Sequence, residues 1–159
     1  MAITSAICNS FKQEILVEGH NFTGSTDQFK LALYSSNSAS LGKATTQWTV
    51  ASDPTADPTN TYEVTTTGSG YSVGGNTLTN IDPTLDSDTA ICDFADTSWT
   101  SASFTARGCL IYNTTAVSGF TTNRSILAIN FGGDKTVTSG TFTIEFPAAA
   151  ASTAIIQIA

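Results

Sequence analysis

The stretch Thr89–Asn113, TAICDFADTSWTSASFTARGCLIYN, decides the fold class. Within it Ala90, Cys92 and Phe94 recur at every second residue, and so do Phe104, Ala106, Gly108, Leu110 and Tyr112. A period of two belongs to a strand, whose successive side chains leave on opposite faces, and not to a helix. Two facing strands joined by a short polar turn, a central hairpin, are expected. Asp93, Thr105, Arg107 and Asn113 fall on the alternate face, so one side can cover a core while the other meets water or a neighbouring chain. No residue in this stretch has the surroundings of a catalyst.

Outward from it, the same periodicity continues. FKLALYS, residues 29–35, alternates Phe29, Leu31 and Leu33 with Lys30, Ala32 and Tyr34, as a strand with one buried face does. SILAINF, residues 125–131, is nearly all apolar and predicts a strand buried on both sides. Gly132, Gly133 and Asp134 are expected to turn the chain, after which Phe142, Ile144 and Phe146 alternate with Thr141, Thr143 and Glu145 up to Pro147. The closing residues 153–159 predict a last strand with Ile156 and Ile158 on one face, tied into the chain's own sheet or a neighbour's. Eight or nine strands at this spacing define an all-β chain: an antiparallel β-sandwich of jelly-roll or Greek-key type with one short N-terminal helix.

That helix is read from NSFKQEILVEG, residues 9–19. Ile7, Phe11 and Ile15 recur four apart, Leu16 widens the stripe, Ser10 and Gln13 suit a capping box, and Gly19 stands where a helix stops. The spacing predicts a helix over residues 10–18. So short a helix is marginal alone, so its stripe must dock on the sandwich or on a neighbouring subunit. Residues 1–20 are accordingly an N-terminal arm on a single domain spanning 1–159. The length of 159 residues suits one domain with its own core.

Residues 37–60, with Pro54 and Pro58, predict a long surface excursion, and Trp48 within it is expected in a subunit contact or as a lid on the core. In EVTTTGSGYSVGGNTLT, residues 63–79, the glycines follow no strand-to-helix pattern and end in no lysine, so they predict turns at positive φ and not a phosphate loop.

Composition narrows the function. Charged residues make up only 12% of the chain, and the net charge is −7 with six scattered Lys and Arg. Nothing here forms the basic footprint of a nucleic-acid binder. No apolar run reaches the ~18 residues that span a bilayer, and the N-terminus lacks the pattern of a signal peptide, so the chain is expected to be made and kept as a soluble protein. Three widely spaced cysteines and one histidine make neither a disulfide framework nor a metal-ligand set, and no metal or cofactor is expected. Free buried thiols are the favoured state of Cys8, Cys92 and Cys109; the spacing leaves a Cys92–Cys109 disulfide open.

The acid groups Asp53 with Asp57, Asp82 with Asp86 and Asp88, and Asp93 with Asp96 are the tempting catalytic pairs. All but Asp93 and Asp96 lie in turn-like sequence where Asp caps its own backbone, which is the better expectation. His20 lacks a nucleophile motif and is expected to pack or cap at the helix end. No catalytic residue and no small-molecule substrate are assigned.

Taken together, FKQEILVEGHNF, DQFKLALYSS, GSGYSVGGNTLTN, the block from DFADTSWT to ARGCLIYN, and ILAINFGGDKTVTSGTFTIEFP resemble a family of small structural proteins of tailed bacteriophages. The resemblance runs through nearly the whole chain, fails over residues 37–60 and around 117–124, and is most specific in DFADTSWT, ARGCLIYN and LAINFGGDKT. It implies a β-rich virion component made in the host cytoplasm, trimeric, with no catalytic residue to carry over. Within that class the expected role is a decoration or cement protein bound to the major capsid protein and reinforcing the head. A tail, baseplate or fibre-associated protein is the alternative, with Trp48, Tyr62 and Tyr71 available to bind host-surface glycans; a polysaccharide-cleaving enzyme is a distant third. The interface residues expected from all this are Ile7, Phe11, Ile15, Leu16, Trp48, Tyr62 and Tyr71.

Overall fold

The computed structural model describes residues 2–24, 26–36, 41–48, 62–64 and 69–159. The chain forms β1 (Ala6–Ile7), α1 (Asn9–Glu14) with a 3-10 turn at Ile15–Val17, β2 (Phe29–Tyr34), β3 (Asn76–Thr77) and β4 (Asn80–Asp86). It continues through β5 (Thr89–Phe94), β6 (Thr97–Asn113), β7 (Arg124–Ile144) and β8 (Ile156–Ile158). All strand pairing is antiparallel. One sheet runs β1-β7-β6-β2-β3 and a smaller one β4-β5-β8. Cys92, Phe94 and Ile156 of the small sheet share one apolar core with Leu31, Leu33, Phe104 and Ile111 of the large sheet, which makes the fold an all-β sandwich with one short helix.

The deciding stretch is built differently from the expected hairpin. β5 pairs with β4 and β8, whereas β6 pairs with β2 and β7, so Ala95 and Asp96 form a corner at which the chain changes sheets. Both strands face the same core from opposite sides, which the shared period of two cannot distinguish from pairing. Asp96 fixes the corner by accepting a 2.8 Å hydrogen bond from the Phe146 N–H.

Two further corrections come from register. Residues 124–144 are one strand, not two: between the pairs Gly108↔Asn130 and Ala106↔Lys135, β7 accommodates extra residues, so Gly132–Asp134 bulge the ladder without reversing it. This irregularity also exchanges the faces of β6. Phe104 and Ala106 enter the main core, but beyond it Cys109 and Ile111 do so, while Leu110 and Tyr112 turn to a second cluster on the outer side of the large sheet.

That second cluster explains why β2 is buried on both faces, not one. Ala32 and Tyr34 point into it, together with Ile3, Leu41, Trp48, Leu110, Tyr112 and Ala128. Trp48 stacks on Tyr112 at 5.2 Å with the rings 12° apart. Residues 41–48 and the N-terminal segment cover this face, held by Thr4 N–H to Leu41 O and Asn9 N–H to Lys43 O, both at 2.8 Å. Of residues 125–131, expected to be buried on both sides, 125–128 are so buried, with Ile126 and Leu127 in the main core and Ala128 in the outer cluster, whereas Ile129, Asn130 and Phe131 are half-buried and most of β7 beyond them is exposed.

The helix begins one residue earlier than expected, at Asn9, and after Glu14 tightens into a 3-10 turn that ends at Val17. Cys8 occupies the cap position without a side-chain bond to the helix, its thiol turned to Gly42 O, and Ser10 Oγ finds no hydrogen-bond partner, so the predicted capping box does not form. Glu18, not Gly19, takes the left-handed conformation that stops the helix, at φ 60°. At Gly75 the expected positive φ is present, 71°, and a Cβ there would stand 1.7 Å from the Leu31 carbonyl oxygen. Only glycine lets the chain enter β3 this close to β2.

Candidate functional site

Among the described residues, Asp82, Asp86, Asp93 and Asp96 bond main-chain N–H groups. Asp82 accepts from Gly24 N–H at 2.6 Å, Asp86 from Ala151 N–H at 2.7 Å, and Asp93 from Phe94 and Ile155 N–H at 2.8 and 3.3 Å. Asp82 and Asp86 do bond backbone, but not in their own turns as expected: their donors lie far along the chain, because the acids join separate segments. Asp93 is fully buried, not on a watered face, because it joins β5 to the residues that precede β8. Asp53 and Asp57 lie outside the described residues. Among the described residues no group of three His, Cys, Asp or Glu side chains is placed to hold a metal.

Glu63 makes the densest such contact. Its carboxylate accepts from Tyr71 Oη at 2.7 Å, Gly74 N–H at 2.6 Å and Trp48 Nε1 at 3.3 Å. Burial pushes its pKa up against the pull of these three donors. Burial and the nearby Glu63 charge push the Tyr71 phenol up as well, so it stays a donor. The phenol also accepts from Leu33 N–H at 3.0 Å, which joins the glycine-rich turns to β2.

A second polar cluster went unsuspected in the sequence. His20 Nε2 lies 2.7 Å from Glu14 Oε2, and Asn113 Nδ2 lies 3.1 Å from His20 Nδ1 and 2.6 Å from Asp27 Oδ2. Arg124, fully buried, donates to the carbonyls of Thr115, Thr121 and Gly19 at 3.1, 2.9 and 2.6 Å and lies over the Phe120 ring. His20 packs at the helix end as expected, with its ring 5.0 Å from that of Phe11. Asn113 and Arg124 sit at strand ends that their neighbours in sequence give no reason to bury; Asn113 meets His20 and Asp27, and Arg124 meets Gly19 as well as the nearer Thr115 and Thr121 carbonyls.

The seven residues selected as interface candidates divide sharply. Phe11 and Tyr71 are buried in the main core and Trp48 in the outer cluster; Ile7 and Ile15 pack against the former and Tyr62 against the latter. Leu16 alone is open, at 83% exposure, with Val17 beside it at 55%. Apart from Val73 in the glycine-rich turns, the other exposed large apolar side chains among the described residues lie on the small sheet, where Leu85, Ala90 and Ile158 stand in register across β4, β5 and β8, Leu85 at 71% and Ile158 at 56% exposure. They continue the core-facing side of that sheet past the edge of the sandwich. A groove of about 80 Å³ lies there, lined by Ile15, Phe22, Pro83, Ala90, Ile156 and Ile158. A larger hollow of about 500 Å³ follows β7, against Ile129, Phe131, Phe142, Ile144 and Phe146. Among the described residues only Leu127 and Ala128 of β7 pair with β1 on the edge away from β6. Apolar surface of this kind belongs to contact between proteins more than to chemistry.

The thiols are free and buried. Burial pushes Cys8 and Cys92 up to about 12, and Cys109 also upward, which leaves them protonated and poor nucleophiles. Comparison with family models, with curated proteins and with solved structures finds no match to this chain.

Proposed function

We propose that this protein is a structural component of a tailed-phage virion, a decoration protein that binds the capsid surface as a homotrimer and reinforces the head. The observation that carries this reading is the unpartnered apolar surface formed by Leu85, Ala90 and Ile158 on the small sheet, with Ile15 and Phe22 lining the groove beside it. The sandwich supplies a rigid base for such a surface, because buried carboxylates and both aromatic clusters brace the scaffold from within. The resemblance of DFADTSWT, ARGCLIYN and LAINFGGDKT to phage structural proteins supports the assignment to a virion.

On a capsid, apolar contact spread over many copies adds buried area at ~25 cal/mol per Å², which offsets the outward pressure of packaged DNA. Particles lacking the protein should release their DNA at lower temperature than complete particles, and adding back the purified chain should restore the difference. Equal release temperatures would overturn the capsid role. Binding to tail components in the same preparation would transfer the protein to the tail.

A further inference from the structure

We propose that His20 is an acid-sensitive latch, whose protonation at Nδ1 unfastens the N-terminal helix from the sandwich. The inference stands independently of the virion role. Asn113 fixes the tautomer. Its Oδ1 accepts from the Thr115 N–H at 2.9 Å, so its Nδ2 must carry the two remaining bonds, one to Asp27 Oδ2 and one to His20 Nδ1. A group that receives a hydrogen bond on Nδ1 holds a lone pair there, and the ring proton therefore resides on Nε2, donated to Glu14 at 2.7 Å.

This chain of donors runs from the β6 end through His20 to the last residue of α1. It has no slack, since every polar atom of the Asn113 amide is engaged. A proton on Nδ1 would set N–H against N–H. Rotating the Asn113 amide to present its oxygen would abandon both Thr115 and Asp27, so the ring must swing outward instead.

The charged groups around the ring are Glu14 on α1, Asp27 in the segment before β2 and Arg124 at the start of β7. Glu14 and Asp27 favour the charged ring, while Arg124, which holds the carbonyl of the adjoining Gly19 at 2.6 Å, opposes it. Burial outweighs the carboxylates and holds the ring below its ordinary value near 6.5. The folded state therefore binds this proton less readily than the unfolded chain. The latch is fully closed above that ordinary value and loosens as pH falls through the lower, folded one.

Because His20 is the only histidine, its ring signals are unambiguous. Long-range proton–nitrogen NMR near pH 7.5 should show a neutral ring with the proton on Nε2; a proton on Nδ1, or a charged ring, would overturn the proposal. Hydrogen exchange of residues 9–18, corrected for intrinsic pH dependence, should quicken about tenfold or more between about pH 7.5 and pH 5, ahead of the β6–β7 core. In His20→Gln the same amides should lose that dependence. Protection of residues 9–18 in the wild-type chain that stays level down to about pH 5 would overturn the proposal, whether or not the variant folds.

Discussion

Glu63 shows how single side chains hold this molecule. Three donors from residues that are distant in sequence converge on one carboxylate, so its removal strands a phenol, an indole and a backbone N–H away from water. Glu63→Ala should lower stability by about 3 kcal/mol in denaturant titration, with Glu63→Gln recovering part of the loss. Gly75 is as constrained for a steric reason. Gly75→Ala combines positive φ with a collision on the Leu31 carbonyl and should cost on the order of 2 kcal/mol or more, read from the same titration. The thiols give a third check at this scale. Ellman's reagent should leave Cys8, Cys92 and Cys109 unmodified in the native protein and label them once it is unfolded.

Among the elements, α1 and β8 are short and depend on what they pack against. Phe11 anchors α1 by meeting Phe22 edge-on at 6.1 Å and His20 at 5.0 Å. Phe11→Ala should cost about 3 to 5 kcal/mol, measured by thermal or denaturant unfolding. β8 covers Cys92 through the pairing Cys92↔Ile156, and Asp93 holds the approach to it. Removing residues 155–159 should leave a folded chain in which Cys92 reacts with Ellman's reagent while Cys109 remains shielded. The strand segments themselves were legible, because alternation survives in Phe29–Leu33 and Phe142–Phe146. Their partners were not: β5 and β6 are adjacent in sequence yet lie in different sheets, and a period of two says which face is apolar without saying which strand lies alongside. The bulge opposite Gly108 shifted the faces of β6, so Leu110 and Tyr112 were assigned to the wrong core. Asn113 and Arg124 were illegible for a related reason. Burial of a polar group depends on partners that no local pattern announces, here Asp27 for Asn113 and, beside the nearby Thr115 and Thr121 carbonyls, Gly19 for Arg124.

At the scale of the whole molecule, most aromatic side chains among the described residues face inward and the open apolar ones are few. That distribution separates stability from contact. Leu16→Asp and Leu85→Asp, at side chains 83% and 71% exposed, should each change unfolding free energy by less than about 0.5 kcal/mol. If these side chains meet a partner, the same substitutions should weaken attachment to particles at least about tenfold. Of the residues chosen from sequence as interface candidates, Leu16 is the one that can be tested without disturbing the core, since amphipathic spacing marks an apolar stripe but not which end of it the sandwich covers.

Location and stoichiometry within purified particles test the contact role most directly. Electron cryomicroscopy combined with quantitative mass spectrometry should place the chain as trimers on the outer surface of the head, in numbers that scale with the capsid subunits. Density confined to the tail, in numbers that follow tail components, or absence of the chain from purified particles, would contradict it.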